Sequence, residues 1–255
     1  MGLPVQFDIC DEPFPDAALE VAINWLHWVD RHFSTYRPDS EISRLNRGEL
    51  TRDELHPQVA EALDVCDTLR AQTGGWFDIR AAYMSHGKGP DAGRGLADSV
   101  DPSGYVKGWA VAGAMRRLKV AGARNACINA GGDVVACGRP DGDGAWRIGI
   151  QNPRAPQEIA IALAVTDAAV ATSGAYARGE HIVDPFSERP PDGLLSVTIV
   201  GPDLTVADVY ATTAFAMGAQ RGARWVTGLD GYEAVLIRDD DTVLTTPGID
   251  ALRIR

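Results

Sequence analysis

The sequence predicts an α+β fold, on three observations. Strand-like alternation and helix-like 3.6-residue spacing both occur along the chain, yet without the regular 30-residue strand-helix-strand period of a doubly wound sheet. The 255 residues are 45% hydrophobic and 23% charged, the balance of an ordinary globular protein with a real core. No sequence repeat and no linker composition divides the chain, so 1–255 is expected to form a single domain.

In order, "PVQFDIC" reads as a short strand and "DAALEVAINWLHWVDRHF" as a helix, its apolar residues recurring at helical spacing. "STYRPDSEISRLN" opens with turn signals, and Ser40 and Glu41 cap a short helix-like "ISRLN". A helix from "HPQVAEALDVCDTLRAQTG" ends at Gly74 and Gly75. "RAAYMSHGKGPDAGRGLADSV" is rich in Gly and reads mostly as loop, and "WAVAGAMRRLKVAG" as a helix with a Gly stop. "NACINAGGDVVACG", "AWRIGIQNP", "IALAVTDAAVATSG", "EHIVDP" and "LLSVTIVGP" read as strands joined by Gly and Pro turns. "ADVYATTAFAMGAQRGARWVTGL" supplies one late helix and "YEAVLIRDDDTVLTTPG" a terminal hairpin around its acidic turn.

A formal net charge of −11 argues against general attraction to nucleic acid or anionic lipid, so an anionic ligand needs a local cation, most simply a metal. Cys10, Cys66, Cys127 and Cys137 form no C-x-x-C pair and no zinc spacing, and read as small core residues in a reducing compartment. No apolar run reaches the length of a membrane span, and the start "MGLPVQ" has no signal-peptide pattern, which makes cytoplasm the expected location.

Within "ADVYATTAF", Asp208 and Thr212 lie four residues apart on one face of an apolar helix. An ionised carboxylate there asks for a partner. A carboxylate and a hydroxyl at this spacing form part of a hard oxygen site suited to Mg²⁺, whereas the blander account is an Asp that caps the helix start and a Thr that bonds back to the preceding turn. Gly131 and Gly132, followed by Asp133, allow either a close approach to a ligand or simply a tight turn. "DPSGYVKGWAV" sets Lys107 between a glycine-containing turn and a helix start, where free backbone NH groups and the lysine suit a diphosphate, or where the lysine is merely solvated. "ATSGAYARGEHIVDP" gathers Thr172, Ser173, His181 and Asp184, a set able to do acid-base or phosphate-binding work but lacking the elbow of a serine hydrolase. Tyr36, beside a proline turn, is a flat surface on which an aromatic ring can stack.

Taken in order, "MGLPVQFDI", "FSTYRPDSEISRLN", "GGWFDI", "DPSGYVKGWAV", "INAGGDVVACG", "WRIGIQNP", "VATSGAY", "HIVDP" and "SVTIVGPDLTVADVYATTAFAMG" resemble the FAD:protein FMN transferase family, the ApbE-like flavin transferases. The resemblance implies an ApbE-like α+β fold, with mixed sheets and packed helices, that splits FAD with Mg²⁺ and moves FMN onto a threonine hydroxyl of an acceptor protein, releasing AMP. It implies metal ligation by Asp208, Thr212 and a backbone carbonyl near Gly104. It places FAD contacts on Tyr36, Trp76, Phe77, Asp78, Asp101, Lys107, Thr172 and Ser196, and a base or diphosphate contact on His181, with Asp208 and His181 as the catalytic pair. Three features depart from the family pattern. The stretch after "GWFDI" is short, which invites a second subunit and a homodimer to complete the cofactor wall. Ala112 and Ala175 stand where polar residues are usual, and the family's Met-Gly pair is Met1 and Gly2. Two rival functions keep part of this picture: hydrolysis of FAD to FMN and AMP, and non-catalytic holding of FAD.

Overall fold

The computed structural model describes residues 2–81, 99–140, 144–175 and 182–254. Its framework is a seven-stranded sheet of order β1-β2-β3-β6-β7-β8-β9, built from Val5–Ile9 (β1), Ala126–Ala130 (β2), Asp133–Cys137 (β3), Ala169–Gly174 (β6), Leu194–Gly201 (β7), Glu233–Arg238 (β8) and Val243–Thr245 (β9). Trp146–Asn152 (β4) and Ala155–Val165 (β5) form a separate two-stranded hairpin. Every described strand pairing is antiparallel. The mixed pairing expected for the sheets is therefore not found among the described residues, while the α+β class stands.

Side chains of the large sheet alternate between two cores, as the period of two requires. Val135, Val197, Ile199, Ala234 and Leu236 join the helices on one face. Val134, Val200, Val235 and Ile237 join Trp146, Ile150, Leu163 and Val165 of the hairpin on the other. Trp146 Nε1 also donates to the Cys137 carbonyl at 3.1 Å, tying hairpin to sheet.

On the helical face, α1 (Asp16–Phe33) buries Ala22, Trp25, Leu26, Val29 and Phe33, one stripe at 3.6-residue spacing. It crosses α4 (Ser103–Val120), where Trp25 Nε1 donates to the Ala110 carbonyl at 2.8 Å. A Cβ on Gly113 would come within 2.5 Å of that indole nitrogen, so a glycine is what lets Trp25 settle on α4. Ser40 caps α2 (Glu41–Asn46) by accepting from the Ser43 N–H, as the sequence suggests. Pro57 opens α3 (Pro57–Gln72), which stops before Gly74 and Gly75, both at positive φ.

Three elements differ from expectation. Helix α4 begins at Ser103, six residues before Trp109, because tertiary burial outweighs the ~1 kcal/mol propensity cost of each of Gly104 and Gly108. The single late helix is two, α5 (Leu204–Ala216) and α6 (Gly218–Val226), broken where Gly218 takes φ +71°. "EHIVDP" makes no strand in its described part: Asp184 forms only an isolated bridge with Arg189 around a tight turn. A last short helix, α7 (Ile249–Leu252), seats Ile249 in the hairpin-side core.

The cysteines divide. Cys66, Cys127 and Cys137 are buried, but Cys10 is exposed and is not the core residue its type suggested. Burial raises the Cys66 and Cys137 thiols and pushes Cys127 up to about 12. At pH 8 the native protein should therefore react rapidly with a thiol reagent at Cys10 alone, the other three appearing only on unfolding. Mass mapping of the alkylated native chain checks this. No helix among the described residues is long and apolar enough to cross a membrane.

Candidate functional site

The helices α4 and α5 cross closely because of one residue. A Cβ on Gly108 would lie 2.6 Å from the Leu204 carbonyl oxygen and 2.9 Å from Asp208 Cβ. At this crossing the Gly108 N–H donates to Asp208 Oδ2 at 2.9 Å. In a regular helix that N–H belongs to the Gly104 carbonyl. Asp208 thus engages the donor of the carbonyl that the family resemblance offers as a metal ligand. Gly108→Ala should force the helices apart, lowering stability by about 1–3 kcal/mol through overpacking and disturbing Asp208 at the same time. Denaturant unfolding measures the first effect.

Asp208 is 1% exposed. It does not cap α5; Asp203 does, accepting from the Val206 N–H at 3.1 Å. The back-bonding threonine is Thr213, whose Oγ1 donates to the Val209 carbonyl at 2.7 Å, whereas Thr212 Oγ1 meets Ser173 Oγ at 3.2 Å. Neither bland account therefore applies to the Asp208 and Thr212 pair. Lys107 Nζ lies 3.6 Å from Asp208 Oδ1 and 2.5 Å from Asp133 Oδ2. Two buried carboxylates consequently share one ammonium. Burial pushes the Asp208 carboxyl up to about 7, against the opposing pull of Lys107.

Asp133 is the residue that motif reading missed. It opens β3 directly after Gly131 and Gly132, which take φ +61° and +98° in the tight turn. It is 1% exposed, and its Oδ1 accepts the Thr172 N–H at 3.0 Å. The available signal was a carboxylate heading the otherwise apolar strand "DVVAC". Asp133 thereby links Lys107 on α4 to the end of β6.

Lys107, Asp208 and Thr212 border one cleft of about 1380 Å³, its open mouth included, with Asp133 behind the lysine. Trp76, Phe77, Asp78, Asp101, Gly104 and Lys107 border it, as do Thr172, Asp208 and Thr212. Gly104 sits against Thr212: a Cβ there would be 3.5 Å from Thr212 Oγ1 and equally close to the Phe77 ring. Trp76 packs edge-on to Phe186 with ring centroids 4.8 Å apart, and the Arg221 guanidinium lies 4.6 Å from its ring. Asp78 is already engaged, accepting from Arg70 Nε at 2.6 Å and from the Arg80 N–H at 3.0 Å. Asp101 Oδ1 accepts the Ser103 N–H at 3.0 Å and so caps the entry to α4.

Other expectations are revised. Lys107 lies within α4, not before it, and the helix-entry N–H groups are not free: Ser103 donates to Asp101, and Tyr105 and Val106 donate to the Pro102 carbonyl. An anion in the cleft would meet the lysine, not a row of helix amides. Tyr36 is 83% exposed and borders a smaller adjoining groove, which shares Asp101, Ser103 and Lys107 with the main cleft. Ser196 is buried opposite Gly174 and does not line the cleft. Asp184 holds its own turn, accepting the Phe186 N–H at 2.8 Å. His181 and Met1 lie outside the described residues, as does most of the short stretch after "GWFDI". Ala112 and Ala175 both pack with the helical core.

Among the described residues no group of three or more His, Cys, Asp or Glu could hold a metal. A cation here would rest on the Asp208 carboxylate together with the Thr212 hydroxyl and the Gly104 carbonyl. Hard oxygens beside an excess buried negative charge fit Mg²⁺ chemically.

The ApbE family model matches residues 1–99 and 92–236. The FAD:protein FMN transferase of Vibrio cholerae is 29% identical over 263 residues, covering 85% of this chain and 78% of that protein. The protein of the same name from Rhodobacter capsulatus is 32% identical over 164 residues, 61% of this chain but 31% of its own length. The structure of the flavin transferase ApbE from Vibrio cholerae superposes with a TM-score of 0.84 at 24% identity, over 99% of this chain and 96% of that one. The ApbE protein from Thermotoga maritima does so at 0.85 and 20%, over 100% and 97%. Sequence match and shared fold agree over nearly the whole length, and the chain belongs to the ApbE family.

Proposed function

We propose that this chain is an FAD:protein FMN transferase acting as a single domain, 1–255, on a threonine hydroxyl of an acceptor protein, with Mg²⁺ as its metal. The observation that carries the reading is the buried Asp208–Lys107–Asp133 group, of which Lys107 and Asp208 border an open cleft together with Thr212. The reaction joins the acceptor threonine oxygen to the FMN phosphorus of FAD. It breaks the bond from that phosphorus to the bridging oxygen and releases AMP, while the threonine proton passes to a base. His181 is the side chain we assign as that base.

Breaking a phosphoric anhydride chiefly needs alignment and stabilisation of charge on the phosphoryl oxygens. Bound Mg²⁺ supplies Lewis-acid stabilisation of that charge. Asp208, Thr212 and the Gly104 carbonyl would hold the cation. Lys107, positioned by Asp133, adds a fixed positive charge in a partly dehydrated setting where it counts for more than in water. Trp76 and Phe77 provide apolar surface for FAD, and Asp101 fixes the start of α4, on which both Gly104 and Lys107 ride.

The test is intact-mass analysis of a threonine-containing flavinylation-motif domain after incubation with this protein, FAD and Mg²⁺. An FMN-sized gain that chelator prevents supports transfer. Release of FMN and AMP with an unmodified acceptor would replace transfer by hydrolysis, and whole FAD would mark a holder of the cofactor.

A further inference from the structure

The proposed transfer requires a stretch of another polypeptide to enter the cleft, and we infer that the acceptor enters as an extended strand paired to the edge of β4 that no described strand covers. This deepens the transferase reading and rests on it.

Four consecutive residues of β4, Ile148 to Gln151, border the cleft. Side chains of a strand alternate between its faces, so four in a row mean that the strand's edge, with its backbone groups, meets the cleft. The orientation of those groups follows from β5. The Ile254 N–H donates to the Ala162 carbonyl at 2.8 Å, and Leu163 bridges to Arg253, so Ala162 turns its backbone groups away from β4. Its neighbours Ile161 and Leu163 therefore turn theirs toward β4, where they pair with Ile150 and Ile148. Arg147 and Gly149, standing between these rungs, then point N–H and C=O outward along the free edge. No backbone bond to another segment is made by either among the described residues. Beyond Gly149 the regular register ends at a bulge between Ile150 and Gln151.

Exposed edges are usually blunted by shortness, charge or proline. Among the other edges here, β9 is three residues long, and β1 carries Gln6 and Asp8 on its more exposed face. The seven residues of β4 include one charge, Arg147, and no proline. A long, receptive edge on the wall of the cleft suits strand addition, in which main-chain hydrogen bonds supply affinity with little demand on the partner's sequence. The occupant is accordingly an extended acceptor segment carrying the threonine.

Amide hydrogen exchange of the full wild-type chain, with and without the flavinylation-motif domain, reads this directly. The expected result is slowed exchange at Arg147 and Gly149 on adding the domain. Arg147→Pro removes an N–H that makes no bond to β5, as an edge strand tolerates. It should raise the acceptor KM about tenfold while FAD affinity stays unchanged, with Arg147→Ala close to wild type. Wild-type transfer without protection at either amide, or equal acceptor KM for Arg147→Pro and Arg147→Ala, overturns the docking edge and leaves the transferase reading standing. Absence of wild-type transfer overturns both.

Discussion

Asp208→Ala is expected to lower FMN transfer by about 10³-fold, the scale of losing several kcal/mol of charge stabilisation at the phosphoryl group. The chain should remain folded. Burial opposes ionisation of this carboxyl, so removing it relieves an unfavourable group. The Gly108 N–H, which donates to Asp208, lies within α4, where the Gly104 carbonyl is its regular helical partner. A melting temperature near that of the wild type, together with loss of any Mg²⁺-induced thermal shift, separates a metal role from a structural one. Thr212→Val should act in the same direction but less strongly, since it removes one neutral ligand and keeps the carboxylate.

Lys107→Met should cost about 3 kcal/mol of stability in the presence of chelator. The lysine side chain is 19% exposed, and the two carboxylates it joins are 1–2% exposed. Removing the shared cation leaves buried negative charge uncompensated. For a chain of this size the loss corresponds to a fall in melting temperature of about 6–12 °C. Adding Asp133→Asn to the variant should restore part of it, because the amide still accepts the Thr172 N–H while one of the two uncompensated carboxylates is gone. A double-mutant cycle by thermal melts measures that coupling. Equal and additive losses from the two changes would show that the ammonium does not bridge the carboxylates.

What the sequence made legible followed from local pattern. The stripe of α1, the Ser40 cap and the β8–β9 hairpin around its acidic turn depend on neighbours a few residues away, and each appears where expected. Asp208 and Thr212 were visible because polar residues stand out in an apolar helix. The errors arose where distant contacts decide. Gly104 and Gly108 argue locally for a loop, yet close packing against α5 keeps them helical. The break at Gly218 is masked by continuing apolar spacing, and is fixed instead by its approach to the Asp192 backbone. Asp133 reads as part of a turn until the fold carries Lys107 to it across the helix-sheet interface. The edge of β4 left unpaired among the described residues has no signature in its own sequence, since it depends on β5 being turned toward residues 253 and 254.

The most direct measurement is anomalous diffraction from crystals grown with FAD and Mn²⁺ in place of Mg²⁺. The account predicts a manganese peak in contact with Asp208, Thr212, the Gly104 carbonyl and the FAD diphosphate, and its loss in Asp208→Ala crystals. A diphosphate seated in the cleft with no metal at Asp208, or a peak held by other residues, would contradict it.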